Sequence, residues 1–427
     1  MRLTRSLALR TAIGAITAAA LAAPLAAQTF PAAPTDTLTD PVRILVSRLN
    51  LEQYKATIKG LTQFGDRRQG TERNRKAVDW IEAQLKSYGC TNTERIHYEY
   101  HTPQRGGGNR GAAGGRGGNR GRGPAREPGT VISTNTKAAG QGGSEMRGVR
   151  TATGVNVDST RQPDPSIRAR DAEPATDGPR EEVYCTKVGS THPDEMYIVG
   201  GHMDGHGWNE AANDDGSGTA LVMELARVLN APDVKTDRSI RFALWNNEET
   251  GLNGAHAYVD QRQALQGKED PAGSGKYPEP KWLGMIQHDM MMWDHGMPRA
   301  DGTVSPDQRP EADVNIEFQS TAKMADAAQK LAWFFRSANE RYATDYPARV
   351  GPHMTNTDSD PFKDLIPAIS LRENERGEQI GAGWDPNWHQ PSDVFKTYSD
   401  KDFRLGMNAA QTTLAAVALL TGATVQK

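Results

Sequence analysis

The chain has 427 residues, with 50 basic against 53 acidic side chains, a formal net charge of −3 and two cysteines. That length suits one large α/β domain with additions. The balanced charge excludes a polycationic nucleic-acid binder, and two cysteines are too few for a disulfide scaffold. Beyond the N-terminus no apolar run reaches the ~20 residues needed to cross a bilayer, so no membrane span is expected.

Arg2, Arg5 and Arg10 precede an uncharged, small-residue stretch from Thr11 to Ala27, with Ala22 and Ala27 suited to cleavage. This reads as an export signal over residues 1–27 and predicts a secreted or periplasmic protein. Residues 28–100 open the folded domain. Val78, Ile81 and Leu85 recur at helical spacing within 74–88, and Tyr98 and Tyr100 continue a strand. Residues 105–126 then hold ten Gly and six Arg, with no acid and no large apolar side chain. Such a segment cannot bury enough surface to offset its ordering entropy. Pro163, Pro165, Pro174 and Pro179 continue the polar character, so residues 101–180 read as a mostly disordered insertion. Arg/Gly tracts can bind RNA. In an exported chain of negative net charge a solvated loop is the expectation instead, with no nucleic-acid partner. Export would permit Cys90 and Cys185 to pair; their positions do not decide it.

Residues 181–427 carry the main part of the domain. Strands are predicted at 182–188 and 196–200. A helix follows at 219–229, with Leu221, Val222, Leu225 and Val228 on one face. Ile240, Phe242 and Leu244 alternate, 283–286 is a short apolar run, and Val314, Ile316 and Phe318 alternate again. A helix at 322–342, a strand at 366–371 and a helix at 401–420 complete the series. Strands separated by helices predict a single large α/β domain, a mostly parallel mixed β-sheet flanked by helices.

Five short motifs fall at or just after predicted strand ends, the edge where open α/β sheets place their ligands. Gly201-His202-Met203-Asp204 follows the strand ending at Gly200. Side chains two apart in extended chain point the same way, so Asp204 can accept the second ring N–H of His202 and fix its tautomer. Asn213-Asp214-Asp215-Gly216-Ser217-Gly218 precedes a helix, where its acids suit capping or metal binding equally. Asn247-Glu248-Glu249-Thr250-Gly251 follows the strand ending near Trp245, so one carboxylate can hold a metal while its neighbour handles a proton. Asp289 and His389, the latter within Trp388-His389-Gln390-Pro391, complete the set. Each motif alone is more often structural. Together, two His and three carboxylates without a thiolate suit zinc or another borderline divalent metal. Two divalent ions are balanced by three carboxylates and a hydroxide, whereas one ion leaves surplus negative charge that opposes hydroxide formation.

The ordered wording GGHMD, NDDGSG and NEETGLNG, followed by Asp289 and His389, resembles the zinc aminopeptidase family of dizinc exopeptidases. That family also holds glutamate carboxypeptidases and glutaminyl cyclases. The resemblance covers about residues 50–100 and 181–420. It implies two zinc ions per chain bridged by Asp214, with His202 and Asp289 completing one and Glu249 and His389 the other. It implies Glu248 as general base toward a metal-bridging hydroxide, Asp204 as support for His202, and a cis peptide bond at Asp214–Asp215. The implied activity is hydrolysis of the terminal bond of a peptide substrate, with an aminopeptidase as the leading expectation. A carboxypeptidase or dipeptidase, a one-zinc glutaminyl cyclase-like acyltransferase and a non-catalytic binding protein are the alternatives. The complete ligand set opposes the last, and a single metal would leave His202 and Asp289 without a role. Two departures concern substrate binding: Trp388 stands where many relatives have Tyr, and Thr357-Asp358-Ser359 lacks the His that relatives often carry nearby.

Overall fold

The computed structural model describes residues 40–102, 155–293, 314–343, 345–352, 354, 356–373 and 385–426. The expected export signal at 1–27 and the Arg/Gly tract at 105–126 lie outside the described residues.

The helices in chain order are α1 (Pro41–Val46), α2 (Leu51–Thr62), α3 (Glu72–Ser87), α4 (Pro165–Asp171), α5 (Gly216–Leu229), α6 (Asn253–Arg262), α7 (Ala325–Tyr342) and α8 (Asp400–Thr421). The strands are β1 (Thr93–Tyr100), β2 (Gly178–Lys187), β3 (His192–His202), β4 (Val234–Lys235), β5 (Arg238–Trp245), β6 (Lys281–His288), β7 (Val314–Phe318), β8 (Ala348–Gly351), β9 (Ala368–Arg372) and β10 (Thr424–Val425). Eight of them form one sheet in the order β1-β2-β5-β3-β6-β9-β7-β8, and β4 pairs separately with β10. The central run β5, β3, β6, β9 is parallel. β1 and β2 add antiparallel strands at one side, and β7 is antiparallel to β9 at the other. The sheet is therefore mixed and mostly parallel, as expected, and its four central strands end on one edge.

Alternation along β3 assigns its two faces. Met196 and Ile198 enter an aromatic core with Trp245, Tyr258, Trp282 and Phe362. On the other face Gly201 meets the start of α5: a Cβ there would lie 2.8 Å from the carbonyl carbon of Gly218. Only glycine permits that approach, and it brings the helix start against the strand end that carries His202. Asp215 caps α5, accepting the N–H of Gly218 at 2.9 Å. Cys90 and Cys185 are joined by a disulfide that closes 95 residues of chain.

Residues 155–180 correct part of the expectation of a mostly disordered insertion over 101–180: they are folded. Pro165 opens α4 behind Asp164, which accepts the N–H of Ser166 at 2.8 Å, and Ile167 is buried. The segment holds few apolar residues because polar side chains dock it. Asn156 Nδ2 donates to the carbonyl of Gly207 at 3.1 Å. Gln162 Nε2 donates to the carbonyls of Trp208 at 2.7 Å and Pro391 at 2.9 Å. Composition registers the missing apolar surface but not these bonds.

Candidate metal centre

Register places the motif residues together. His202 at the end of β3 pairs with Trp245 of β5, and Gly201 pairs with His288 of β6. Glu248 and Glu249 thus leave β5, and Asp289 leaves β6, on the same edge as His202. The backbone is left-handed at Asn247 (φ 63°), Met290 (φ 60°) and His389 (φ 58°). Non-glycine residues in that region are strained, and such strain concentrates at functional sites. Here it turns the chain at or beside Glu248, Asp289 and His389.

Asp214 stands between the two expected histidines. Its Oδ1 is 3.3 Å from His202 Nε2 and its Oδ2 is 3.0 Å from His389 Nε2. His202 Nε2 is also 3.9 Å from Asp289 Oδ1, and His389 Nε2 is 3.0 Å from Glu249 Oε2. The Asp214–Asp215 peptide bond is cis. Asp215 points away from the centre. Its carboxylate accepts the N–H groups of His202 at 3.0 Å, Gly218 at 2.9 Å and Met290 at 3.1 Å, tying β3, α5 and the turn after β6 together.

The expected contact from Asp204 takes another form. His202 Nδ1 bonds the backbone carbonyl of Asp204 at 3.0 Å, while the Asp204 carboxylate lies 3.8 Å away. β3 ends at His202, so the extended geometry that would align the two side chains does not continue to Asp204. The tautomer is still fixed, with Nδ1–H donated and Nε2 left facing the acids. The Asp204 carboxylate instead accepts the backbone N–H of Glu248 at 3.0 Å.

Electrostatics report a crowded anionic pocket. Burial alone lowers the proton affinity of His202, but Glu248, Asp215, Asp214 and Asp289 outweigh it and raise the imidazole well above its ordinary range. His389, lowered by burial, is lifted by Glu249 and Asp214 to about 10. Burial raises Glu248 well above the usual carboxylate range; Asp358, Glu249 and Asp289 add to this and His202 opposes it. Burial would also raise Glu249, but His206 and His389 bring it down to about 2.

These residues fit divalent metal. Gathering Asp214, Glu248, Glu249 and Asp289 in a buried site is costly unless cationic partners compensate. Two groups place their candidate donor atoms within 4.8 Å of one another: His202 with Glu248 and Asp289, and His206 with Glu249 and His389. Glu249 Oε1 and His206 Nε2 are buried without a hydrogen-bond partner, as atoms aimed at a shared ion would be. Imidazole and carboxylate donors without thiolate suit zinc.

A model of peptidase family M28 matches residues 182–413. The chain belongs to that family. Among similar proteins, the probable lipoprotein aminopeptidase LpqL of Mycobacterium tuberculosis is 34% identical over 279 residues, 63% of this chain and 48% of the relative. Aminopeptidase YwaD of Bacillus subtilis is 45% identical over 69 residues, 16% of this chain and 14% of the relative. Carboxypeptidase Q of Xenopus laevis is 34% identical over 73 residues, 17% of this chain and 16% of the relative. The chain thus spans about half or less of the length of these curated relatives. Among solved structures, BSAP, a zinc aminopeptidase from Bacillus subtilis, superposes with a TM-score of 0.55 at 18% identity, covering 89% of this chain and 96% of that one. At that identity the likeness is one of fold.

Several residues around this centre escaped sequence reading, in which Trp388 figures only as a departure. His206 is 3.1 Å from Glu249 Oε2, and its ring lies edge-on to His389 with centroids 4.3 Å apart. The spacing His202-x-Asp204-x-His206 was its available signal. Asp393 accepts the N–H groups of Asn213 at 2.8 Å and Asp214 at 3.1 Å, so it holds the loop that presents Asp214. Glu373 accepts from Asn213 Nδ2 at 2.8 Å and from the N–H of Met292 at 2.9 Å. Arg372 meets Asp289 at 2.8 Å. Trp388 stacks on His389, centroids 4.1 Å apart at 28°. The indole therefore braces the imidazole, whatever it contributes toward substrate.

Proposed function

We propose that this chain is an exported, zinc-dependent exopeptidase acting as an aminopeptidase. The carrying observation is the position of Asp214, one oxygen toward His202 and the other toward His389, with Glu248 grouped beside His202 and Asp289. His202, Asp289 and one Asp214 oxygen would hold one zinc; Glu249, His389 and the other Asp214 oxygen would hold the second. When bound, such a pair supplies Lewis acidity, polarising a scissile carbonyl and acidifying water.

Glu248 accepts the proton of the attacking water as its oxygen adds to the carbonyl carbon. It returns that proton to the departing amine nitrogen as the C–N bond breaks. Glu248 is grouped with His202 and Asp289 at the centre, within reach of a water held there. Asp204 anchors the Glu248 backbone, and Trp388 orients His389. The aminopeptidase reading is supported by two of the relatives, LpqL and YwaD, both named aminopeptidases. Export is supported by the N-terminal pattern of Arg2, Arg5 and Arg10 and by the Cys90–Cys185 disulfide, which suits an oxidising compartment.

Digestion of free, N-blocked and C-blocked peptides tests the reading. Free and C-blocked peptides should lose residues from the N-terminus, N-blocked peptides should survive, and a chelator should abolish turnover until zinc is restored. Cleavage of N-blocked peptides from the C-terminus would assign a carboxypeptidase instead. Cyclisation of N-terminal Gln without cleavage would assign a cyclase.

A further inference from the structure

His206 has no role in the two ligand sets above, yet it is placed with the care given to a ligand. Its Nε2 lies 3.1 Å from Glu249 Oε2, and its side chain is 15% exposed. Despite that close pairing, the nitrogen is buried and not aligned for a hydrogen bond. A neutral imidazole beside a carboxylate would ordinarily turn its N–H toward it. The nitrogen thus converges on the same space as Glu249 and His389 without an aligned hydrogen bond to either, the arrangement of donors around a shared cation.

The loop carrying His206 is fastened to the loop carrying His389 at three points. Asn209 Nδ2 donates to the carbonyl of His206 at 3.0 Å and to that of Gln390 at 2.9 Å. Asn156 donates its backbone N–H to the carbonyl of His389 at 3.0 Å and its Nδ2 to that of Gly207 at 3.1 Å. Gly207 has φ +119°, and a Cβ there would meet the His389 carbonyl oxygen at 2.7 Å. Such bracing fixes the separation of two imidazoles, which a shared metal requires and a solvated histidine does not.

We propose that His206 is a fourth protein ligand of the zinc held by Glu249 and His389, which makes the two metal positions unequal. The assignment rests on the zinc reading above. The Glu249 position then has two imidazoles and two carboxylates, from His206, His389, Glu249 and Asp214. Four protein donors fill a tetrahedral zinc, the pattern of a closed, tightly held ion. The other position has His202, Asp289 and Asp214, three donors that leave one place open, the pattern of a catalytic ion. The His206 position fills first and empties last, and the His202 position is the one that admits water and the substrate carbonyl.

The test uses the full chain, stripped by chelator and given zinc in steps. X-ray absorption on wild type carrying one equivalent should count two imidazoles on the metal; a count of one would overturn the proposal. In parallel, zinc titration of His206→Ala should show the tighter affinity reduced by at least about tenfold. His202→Ala should keep that tight equivalent and lose the weaker one. His206→Glu, which restores an oxygen donor, should recover part of the loss, as a purely structural histidine would not predict. If wild type takes two zinc ions and hydrolyses peptide while His206→Ala titrates identically, the assignment of His206 is wrong and the zinc reading stands. If wild type takes no zinc, both are wrong.

Discussion

The backbone N–H of Glu248 donates to the Asp204 carboxylate at 3.0 Å. The bond joins the chain leaving β5 to the chain leaving β3, and it makes Asp204 a positioning residue for the base as well as for His202. Asp204→Ala leaves that N–H buried and unpaired, a loss of about 1–3 kcal/mol at a place where position matters. We expect kcat/KM to fall by about 10–100-fold with zinc content unchanged. Asp204→Asn keeps an acceptor oxygen and should retain most of the activity. Steady-state kinetics with metal analysis of both variants checks this.

The two halves of the insertion should behave differently. Replacing residues 103–154 by a short Gly/Ser linker should leave most of the peptidase rate, because that stretch supplies no motif residue. Extending the deletion through 162 removes Asn156 and Gln162, which hold the backbones of Gly207, Trp208, His389 and Pro391. Activity should then drop sharply while circular dichroism stays close to wild type. Equal activity in the two deletions would contradict the docking role.

Much of this was legible beforehand because it carries a pattern. Ile240, Phe242 and Leu244 alternate within β5, and the expected helix at 401–420 matches α8 at Asp400–Thr421. The site motifs were readable because strand ends on one edge bring His202, Glu248 and Asp289 together. What was missed carries a weak local signal. α6 buries Gly254, Ala255, Tyr258 and Val259 at helical spacing, but two of the four are too small to mark an apolar stripe. Asn156, Gln162, Asp393 and Glu373 act through hydrogen bonds to residues distant in sequence, which no local spacing encodes. His206 lies two residues beyond Asp204, and only the fold turns it toward Glu249.

Removing the Cys90–Cys185 bond should cost stability more than activity. It closes 95 residues of chain, and losing a cross-link of that kind costs about 2–4 kcal/mol, chiefly by freeing the unfolded state. Denaturant unfolding of Cys90→Ser/Cys185→Ser should show a lower midpoint with an active folded state. An unchanged midpoint would contradict this.

Asp171 should make the fold less stable as pH rises. Burial and the neighbouring Asp66 raise its carboxyl to about 8, against the pull of Arg73. The unfolded chain releases this proton near pH 4, the folded chain only near 8. Between these values the unfolded state binds fewer protons, so the stability present at low pH is lost as pH climbs through the folded value. Asp171→Asn has no such proton to lose. Its Tm relative to wild type should rise between pH 4 and 8, and a flat difference would contradict the shift.

Glu248→Gln is the most direct measurement of the proposed chemistry. The amide keeps the shape of the side chain but cannot accept a proton, a function worth about 10²–10⁴ in rate. The variant should bind two zinc ions, hold substrate with nearly wild-type KM, and turn over at least about a hundredfold more slowly. Glu249→Ala, beside it, should lose metal and activity together. Near wild-type turnover by Glu248→Gln, or loss of a zinc from it, would contradict the assignment of Glu248 as the base.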